Sequence, residues 1–360
     1  MESPLKRFWR YKSLFALYRK DIENLSAPSF EKIPYEPFVP RAQIINGRKV
    51  ITRSGVVLFD WIWTRRSTYS GLLAIWRVSW ITIFSILRRG IFHAPDEQRI
   101  AVIHSLWTRG YYHWITEGLP RAIVVRNVDA DAIPLLPTKE YEGYVQSLEA
   151  LGFSKVAFSQ YEKNLSVLNP LVTECARNFG TTDPALLRDV RQKVWSGLGI
   201  KLSDRAEQPR IIYVSRSMAR GRRVLNEDDV VRSLTRWGVT LVNFEELSFS
   251  DQVKLMSKTD VLVSIHGAAL ANMTFMPEGG AALELLPRRN GIFDYSKIRR
   301  SFRHDSCYVR LAAAMGHKHY AFESAVDSKW NSSTHMANVF VDIERLDTIM
   351  EKIVDEYSQG

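Results

Sequence analysis

An apolar run that leads directly into a histidine and a glycine is the first feature with chemical meaning. Residues 261–265 predict a buried strand, His266 and Gly267 follow at once, and a helix is expected to begin at Ala268. Ligands bind at the carboxyl ends of parallel strands, where the amides of a helix N-terminus attract phosphate. We therefore expect a phosphate-binding turn here, with a plain strand-to-helix turn around a core histidine as the alternative. The spacing is not GxGxxG, so it does not support a dinucleotide fingerprint.

Two further polar features accompany predicted strands. Four arginines lie within eight positions after the strand RIIYVSRS: Arg216, Arg220, Arg222 and Arg223. Guanidinium groups bind phosphate bidentately, so this loop can neutralise a diphosphate without a metal; a solvated basic loop is the alternative. Glu284 stands within another apolar strand, where an unpaired carboxylate is unfavourable. It is expected to bind a ribose or sugar hydroxyl or, alternatively, to pair with an arginine.

An imidazole and a carboxylate in the N-terminal half have the spacing of a general base and its partner. His113 and Glu117 lie four residues apart in YYHWITEGLPR, which places them on one face if the segment is helical. Glu117 can then orient the imidazole of His113 for base catalysis near neutral pH. A half-buried aromatic helix with a satisfied histidine is the alternative. Asp129 and Asp131 have the DxD form that some sugar transferases use for Mg²⁺ or Mn²⁺, but so short a match is common by chance.

Strand-like and helix-like segments alternate from about residue 100. Helices are expected over YYHWITEGLPRAIVV, ending near Pro120, over KEYEGYVQSLEALGF and, with Asp183 as the N-cap, over DPALLRDVRQKVWSGLG. In the second half, RIIYVSRS, VTLVNFEE, VLVSIHG and AALELLP are predicted strands. The segments between them are predicted helices, including SFSDQVKLMSKTD with a serine cap. This pattern indicates an α/β protein with parallel, Rossmann-like sheets.

The net charge of +10 comes from two segments near the N-terminus. Residues 1–20 hold six basic residues and one acid, and residues 65–89 hold five arginines and no acid, so the remaining 315 residues are balanced. This distribution argues against a nucleic-acid-binding protein, which would spread basic residues over a large face. Because tryptophans accompany these charges, peripheral contact with an anionic membrane is expected through both segments. Packing of residues 70–87 into the N-terminal domain is the alternative.

The N-terminal region is expected to form a basic aromatic arm with a hairpin over KVITRSGVVLFD. No secretory signal is apparent, and the longest apolar stretch, Val78–Leu87, is too short to span a bilayer as a helix. The expected location is the cytoplasm, with a peripheral position on the inner face of the cell membrane as an option. Two cysteines without metal-ligand spacing argue against a disulfide scaffold or a zinc module.

Roughly residues 100–320 resemble glycosyltransferase family 61, most strongly over 210–287. The resemblance rests on RIIYVSRS, on VTLVNFEELSFSDQVKLMSKTDVLVSIHGAALANMTFMPEGGAALELLP and on the upstream YYHWITEGLPR. It implies a GT-B architecture, in which two Rossmann-like domains face a cleft and the C-terminal one holds a nucleotide-sugar. Members invert the sugar configuration and usually lack a DxD metal site, so neither a cofactor nor a divalent metal is expected. Members without a signal resemble bacterial enzymes of capsular and other surface-polysaccharide assembly.

The resemblance also assigns the site residues. The donor site would be lined by Arg216, His266, Gly267 and Asn272, with Arg222 or Arg223 as further diphosphate ligands and the amides at Gly267–Ala268 beside them. Ala269 departs from the family, which frequently has a glycine there. The block at 111–121 would face the acceptor. The predicted domains are the arm at 1–95, an acceptor domain at 96–200, a donor domain at 201–340 and a C-terminal helix at 341–360.

Sequence and resemblance together predict an inverting transferase with a nucleotide-sugar donor, most simply a UDP-sugar, and a glycan or lipid-linked glycan acceptor. One base must deprotonate the acceptor hydroxyl while positive groups stabilise the departing nucleotide diphosphate. His113 assisted by Glu117 is the expected base, and Glu117 itself or another carboxylate of the N-terminal half is the alternative. A catalytically inactive protein that binds a nucleotide-sugar or glycan on the same fold is the alternative function.

Overall fold

The chain divides into two compact units, Met1–Leu186 and Leu187–Gly360. The computed structural model describes residues 35–36, 41–45, 49–52, 57–58, 91–93, 98–104, 108–136, 142–158, 164–168, 171–173, 183–201, 208–219, 221–288, 307–327 and 337–358. The basic segments 1–20 and 65–89 and the apolar stretch Val78–Leu87 lie outside these residues. None of the helices within the described ranges has both the length and the apolar character that crossing a membrane requires.

The described residues of the first unit form two five-stranded sheets. One has the order β1 (Tyr35–Glu36), β10 (Leu171–Thr173), β6 (Ile100–Val102), β7 (Ile133–Leu136) and β8 (Ala157–Phe158), and all neighbours are parallel except β1 and β10. The other has the order β4 (Val57–Leu58), β3 (Lys49–Thr52), β2 (Arg41–Ile45), β9 (Asn164–Leu168) and β5 (Ile91–His93). The pairing of Val50 with Leu58 and of Ile51 with Val57 confirms the predicted hairpin.

The helix after β6 does not end near Pro120, so that prediction is wrong. It runs through α1 (Tyr111–His113), a π-helical turn (Trp114–Gly118) and α2 (Leu119–Val128). A proline inside an α-helix lacks an N–H, and its ring clashes with the carbonyl four residues earlier. Here the Leu119 N–H bonds to the carbonyl of Trp114, five residues back, and this wider turn accommodates the proline ring. The next helix, α3 (Glu142–Ala150), is confirmed as predicted.

The second unit is built on one six-stranded sheet. Its order is β12 (Thr240–Val242), β11 (Ile211–Val214), β13 (Val261–Ile265), β14 (Ala281–Arg288), β15 (Lys318–Val326) and β16 (Val339–Phe340). The first five strands are parallel and β16 is antiparallel. Strands β11 and β13 are buried along their whole length, as expected for apolar strands with helices on both faces. The core includes Tyr213, Val263, Leu283, Phe322 and Leu346.

Helices alternate with these strands as predicted. They are α4 (Pro184–Gly197), α5 (Glu227–Thr235), α6 (Phe249–Met256), α7 (Cys307–Met315) and α8 (Ile343–Ser358), with 3-10 turns at Phe244–Glu246 and Ala268–Phe275. The helix predicted from Ala268 is therefore a 3-10 helix, in which side chains three apart align. VTLVNFEE forms a strand only over Thr240–Val242, because the first 3-10 turn follows. GT-B architecture and the domain boundaries at 95, 200 and 340 stay predictions.

Helix caps fix where two of these helices begin. The Ala185 N–H donates to Asp183 Oδ1 at 2.8 Å, and the Asp251 N–H donates to Ser248 Oγ at 3.1 Å. Both caps were predicted from residue type alone. Because each satisfies an amide that has no partner inside the helix, each places the following helix at a defined residue.

Substitution of Ser248 tests the cap of α6. We expect Ser248→Ala to lower the free energy of unfolding by about 1 kcal/mol, because an amide of the first turn loses its acceptor. Ser248→Thr keeps a hydroxyl at this position and is expected to retain most of the stability. Urea unfolding at constant m-value provides the measurement, and equal stability of the alanine and threonine variants would contradict the assignment.

Candidate active site

A buried carboxylate in the middle of β14 joins a histidine that directly follows β13 to a histidine near the start of β15. His266 follows β13 directly, Glu284 lies on β14 and His319 lies on β15. The Nδ1–H of His266 donates to one Glu284 oxygen, Oε1, and the Nε2–H of His319 donates to the other, Oε2, at 2.8 Å. Glu284 is fully buried, and the His266 and His319 side chains are 7% and 4% exposed. Two imidazoles therefore take the place of the arginine that was the alternative partner of Glu284, and we call the three side chains the His–Glu–His cluster. Direct binding of a donor hydroxyl by Glu284 stays a prediction.

The charge of Glu284 is stabilised by these imidazoles. Burial alone would raise the pKa of the carboxyl, because a charge is poorly solvated inside a protein. The hydrogen bonds and electrostatic interactions with His266 and His319 outweigh burial and lower the pKa of Glu284 from 4.5 to about 2. The carboxyl therefore binds its proton less tightly in the folded protein than in the unfolded chain.

Two guanidinium groups lie beside Gly267. A Cβ atom built on this glycine would lie 3.5 Å from Arg216 Nη1 and 3.8 Å from Arg222 Nη1. Burial and the neighbouring charge of Arg216 lower the pKa of Arg222, although Tyr308 opposes this effect. Arg216 Nε is buried, and neither arginine forms an ion pair with a carboxylate among the described residues. Adjacent cations without a carboxylate attract an anion.

The loop that carries the two arginines crosses the carboxyl ends of the sheet. It starts after β11, and Val224 forms a bridge with Val339 of β16, so it passes β13, β14 and β15. Arg222 has a φ of +55°, which is uncommon for a residue with a side chain. The loop is anchored just beyond this residue, where the Arg223 N–H donates to Asn338 Oδ1 at 3.0 Å. These contacts hold Arg222 in its left-handed conformation.

Asn226 provides a second anchor for this loop. Its side-chain amide donates to the carbonyl of Val341 at 2.8 Å and accepts from the N–H of the same residue at 3.0 Å. The side-chain amide thus forms the same pair of hydrogen bonds with Val341 that a backbone residue of a neighbouring β-strand would form. Arg223 is exposed, and its backbone N–H anchors the loop to Asn338. Its role as a diphosphate ligand stays a prediction.

Tyr308 on α7 packs against one side of the His–Glu–His cluster, and no pattern in the sequence predicts this contact. Its ring meets the ring of His266 edge to face, with centroids 5.2 Å apart and planes at 74°. It also interacts electrostatically with Arg222. His319 was equally missed, since a histidine in the strand KHYAFESAV carries no spacing signal toward Glu284.

Asn272 lies in the 3-10 helix that follows Gly267. Its side chain is fully buried and donates to Gln252 Oε1 at 3.2 Å, and Gln252 in turn donates to the carbonyl of Phe244 at 3.0 Å. Asn272 thus ties the 3-10 helix to α6, and a direct contact with the donor stays a prediction. Ala268 and Ala269 begin the 3-10 helix, and Gly267 provides no side-chain cap for it.

His113 and Glu117 meet in the first unit as predicted. The His113 Nδ1–H donates to Glu117 Oε1 at 2.6 Å, with 25% of the His113 side chain exposed and 1% of that of Glu117. His113 ends α1 and Glu117 lies in the π-helical turn that follows, a geometry that is frequent at functional sites. Gly118 allows tight packing there, because a Cβ atom on it would lie only 2.6 Å from Trp114 Cε3. The Nε1–H of Trp114 donates to Ser147 Oγ at 3.0 Å.

Asp129 stabilises a turn and forms an ion pair. Its Oδ2 lies 2.6 Å from Arg99 Nε, and its Oδ1 accepts the N–H of Asp131 at 3.0 Å. Both oxygens therefore have protein partners. Within the described ranges, no three His, Cys, Asp or Glu residues are grouped as ligands for a metal ion.

Comparison with known proteins gives a family match for the region that contains His113, Glu117 and His266 and that ends one residue before Glu284. Residues 111–283, just under half of the chain, match the family Glycosyltransferase 61. A protein O-linked-mannose beta-1,4-N-acetylglucosaminyltransferase 2 from Xenopus laevis is 38% identical over 93 residues, or 25% of this chain and 16% of that protein.

Two relatives described as EGF domain-specific O-linked N-acetylglucosamine transferase give the same indication. The Drosophila melanogaster protein is 31% identical over 109 residues, 29% of this chain and 21% of its own length. The Mus musculus protein is 29% identical over 163 residues, 44% of this chain and 29% of its own length. The chain thus aligns with less than a third of each of these three proteins. The matches show that residues 111–283 are similar to glycosyltransferase family 61, and that parts of the chain are similar to these named transferases.

Replacement of Glu284 tests the His–Glu–His cluster through acid unfolding. Because the folded carboxyl binds its proton less tightly, its ionisation stabilises the fold above the ordinary pKa of 4.5, and this contribution is lost as pH falls toward about 2. We expect the free energy of unfolding of wild type to fall across this window more steeply than that of Glu284→Gln. Urea unfolding between about pH 6 and about pH 2 measures the slopes.

Glu351→Gln is the matched control, because it removes one carboxylate from the exposed surface of α8. It is expected to keep the wild-type slope. A Glu284→Gln slope equal to that of wild type would show that the buried carboxyl is not held ionised by its imidazole partners.

Proposed function

We propose that this chain is an inverting glycosyltransferase that transfers a sugar from a nucleotide-sugar to a hydroxyl group of a glycan, without a bound divalent metal. One observation carries the proposal. Two guanidinium groups without carboxylate partners among the described residues lie beside Gly267, at the carboxyl end of a parallel strand, in a region that matches a glycosyltransferase family. Such a place suits a diphosphate.

The donor's diphosphate would bind to Arg216, Arg222 and His266. Guanidinium groups offer fixed pairs of donors that match phosphate oxygens, and burial strengthens their attraction because little water competes. The positive charges act most strongly when the sugar–oxygen bond breaks and the leaving diphosphate gains charge. Fixed cations thereby supply the stabilisation that a divalent metal supplies in other transferases.

The acceptor hydroxyl would lose its proton to His113. Since Glu117 accepts from Nδ1–H, the neutral ring presents Nε2 as the basic nitrogen, and the carboxylate stabilises the imidazolium that forms. The acceptor oxygen then forms a bond to the anomeric carbon as the bond from that carbon to the diphosphate oxygen breaks. A single displacement of this kind inverts the sugar configuration. Glu117 acting alone as the base is the alternative assignment.

Donor identity and biological context extend this proposal. Because the names of the relatives specify N-acetylglucosamine, UDP-N-acetylglucosamine is the first donor to test. We propose a lipid-linked or other glycan acceptor of bacterial-type surface-polysaccharide assembly, at the cytoplasmic face of a membrane. The basic segments 1–20 and 65–89 support this location through their charge. GT-B architecture, with one substrate site on each unit, accompanies this assignment as a proposal.

Nucleotide release from a panel of UDP-sugars tests the function. We expect release by wild type in the presence of a chelator, and a loss of about 100-fold or more in kcat for His113→Ala, because the base is removed. Arg216→Ala is expected to weaken donor binding by about tenfold or more, because a charged hydrogen-bond donor is lost. Donor binding without release by wild type would instead indicate an inactive binding protein, and release that requires a metal would contradict the metal-independent mechanism.

Gly267→Ala probes the space between the two arginines. The φ of 172° is extended and suits any residue, while the added methyl would lie 3.5 Å from Arg216 Nη1. We expect an unchanged melting temperature. UDP binding is expected to weaken about tenfold, because the methyl would occupy space where the phosphate is proposed to bind. Gly221→Ala, in the same loop and with nothing within 4 Å, is the control. Equal UDP affinity of Gly267→Ala and wild type in calorimetry would place the phosphate elsewhere.

A further inference from the structure

The His–Glu–His cluster extends beyond what donor binding by His266 alone requires. A carboxylate that only oriented one imidazole would need a single hydrogen bond, yet both oxygens of Glu284 accept from a ring nitrogen. All three side chains are almost completely removed from water. Burying an ionised carboxylate is unfavourable unless it is paired, so an arrangement of this kind favours a positive charge beside it.

We propose that His266 binds the donor's diphosphate as an imidazolium, and that His319 is the positioning residue that makes this possible by keeping Glu284 anionic. The inference rests on the proposed function and adds a third cation to its donor site. It also adds a residue, His319, that need not touch the donor.

The geometry divides the roles between the two histidines. His266 directs Nδ1–H toward Glu284, so its Nε2 is the nitrogen left for a ligand, and Nε2 makes no hydrogen bond with the described residues. The residue directly follows β13 and precedes Gly267, beside which both guanidinium groups lie. His319 lies one strand further along the sheet, and its Nε2–H is directed to Glu284. This contact lets it influence the diphosphate through the carboxylate.

The charges around His266 oppose one another. Among the described residues, Arg216 and Arg222 of the loop after β11 disfavour a further positive charge, and Glu284 of β14 favours it. Tyr308 of α7 packs its ring against His266, and His319 of β15 contacts the far oxygen of Glu284. Without a donor to the second oxygen, Glu284 would hold its charge less firmly and the imidazolium would lose its support. A bound diphosphate adds negative charge and favours the imidazolium further.

Binding of UDP-N-acetylglucosamine measured by calorimetry across about pH 6 to about pH 8.5 tests the proposal. This probe carries a diphosphate diester, which does not titrate in that range, so a pH dependence reports on the protein. We expect the affinity of wild type to fall as pH rises, because His266 loses its proton. His319→Phe removes the N–H donor and is expected to shift this fall to lower pH and to weaken binding about tenfold at neutral pH.

His319→Gln is the matched variant, because its amide can donate to Glu284 but cannot carry a charge. We expect it to retain the wild-type pH profile and affinity. Loss of affinity in both variants with an unshifted profile would show a merely structural role for His319 and overturn the proposal.

A second measurement does not depend on variants of His319. Ring ¹⁵N chemical shifts of labelled histidine, assigned with His266→Gln, report whether both nitrogens of His266 carry protons. We expect an imidazolium at neutral pH, and a neutral ring both alone and with donor would overturn the inference. If instead no UDP-sugar binds to wild type at any pH, the proposed function fails and the inference fails with it. Donor binding that is independent of pH would overturn the inference alone.

Discussion

Glu284 carries a negative charge inside the sheet of the second unit, and this charge constrains which side chains can surround it. A fully buried carboxylate must be paired, and here two imidazoles from the neighbouring strands provide the pairing. The pairing requires His266 at the end of β13 and His319 on β15, so strand register and site geometry are fixed together. Its consequence is that His266 and the adjacent Gly267 hold a defined position at the carboxyl ends of the strands.

The arginine loop depends on the same edge of the sheet. It passes the strands that carry the cluster and is anchored beyond them, at Asn338 and Val341, through hydrogen bonds to the backbone. This anchoring maintains the left-handed conformation of Arg222 and keeps two like charges close together. Backbone strain and charge repulsion at one place are typical of a site that is completed by a ligand. An anion would relieve the repulsion, which links the fold of this loop to binding.

The elements of the second unit could largely be predicted from sequence, whereas the contacts between distant strands could not. Apolar runs bounded by caps such as Asp183 and Ser248 define where helices and strands lie. Arg216 and His266 each follow a parallel strand, and the carboxyl ends of such strands meet at one edge of the sheet. Their proximity could therefore be predicted from sequence. His319 reaches Glu284 only because β15 pairs with β14, a long-range pairing that no local pattern encodes. The π-helical turn that carries the chain through Pro120 likewise depends on packing, here of Trp114 against Gly118.

The most direct test of the donor site is a crystal structure of the protein with UDP-N-acetylglucosamine bound. We expect the diphosphate between the guanidinium groups of Arg216 and Arg222, above Gly267 and within hydrogen-bond distance of His266 Nε2. A nucleotide bound with its phosphates away from both arginines would contradict the assignment of this site.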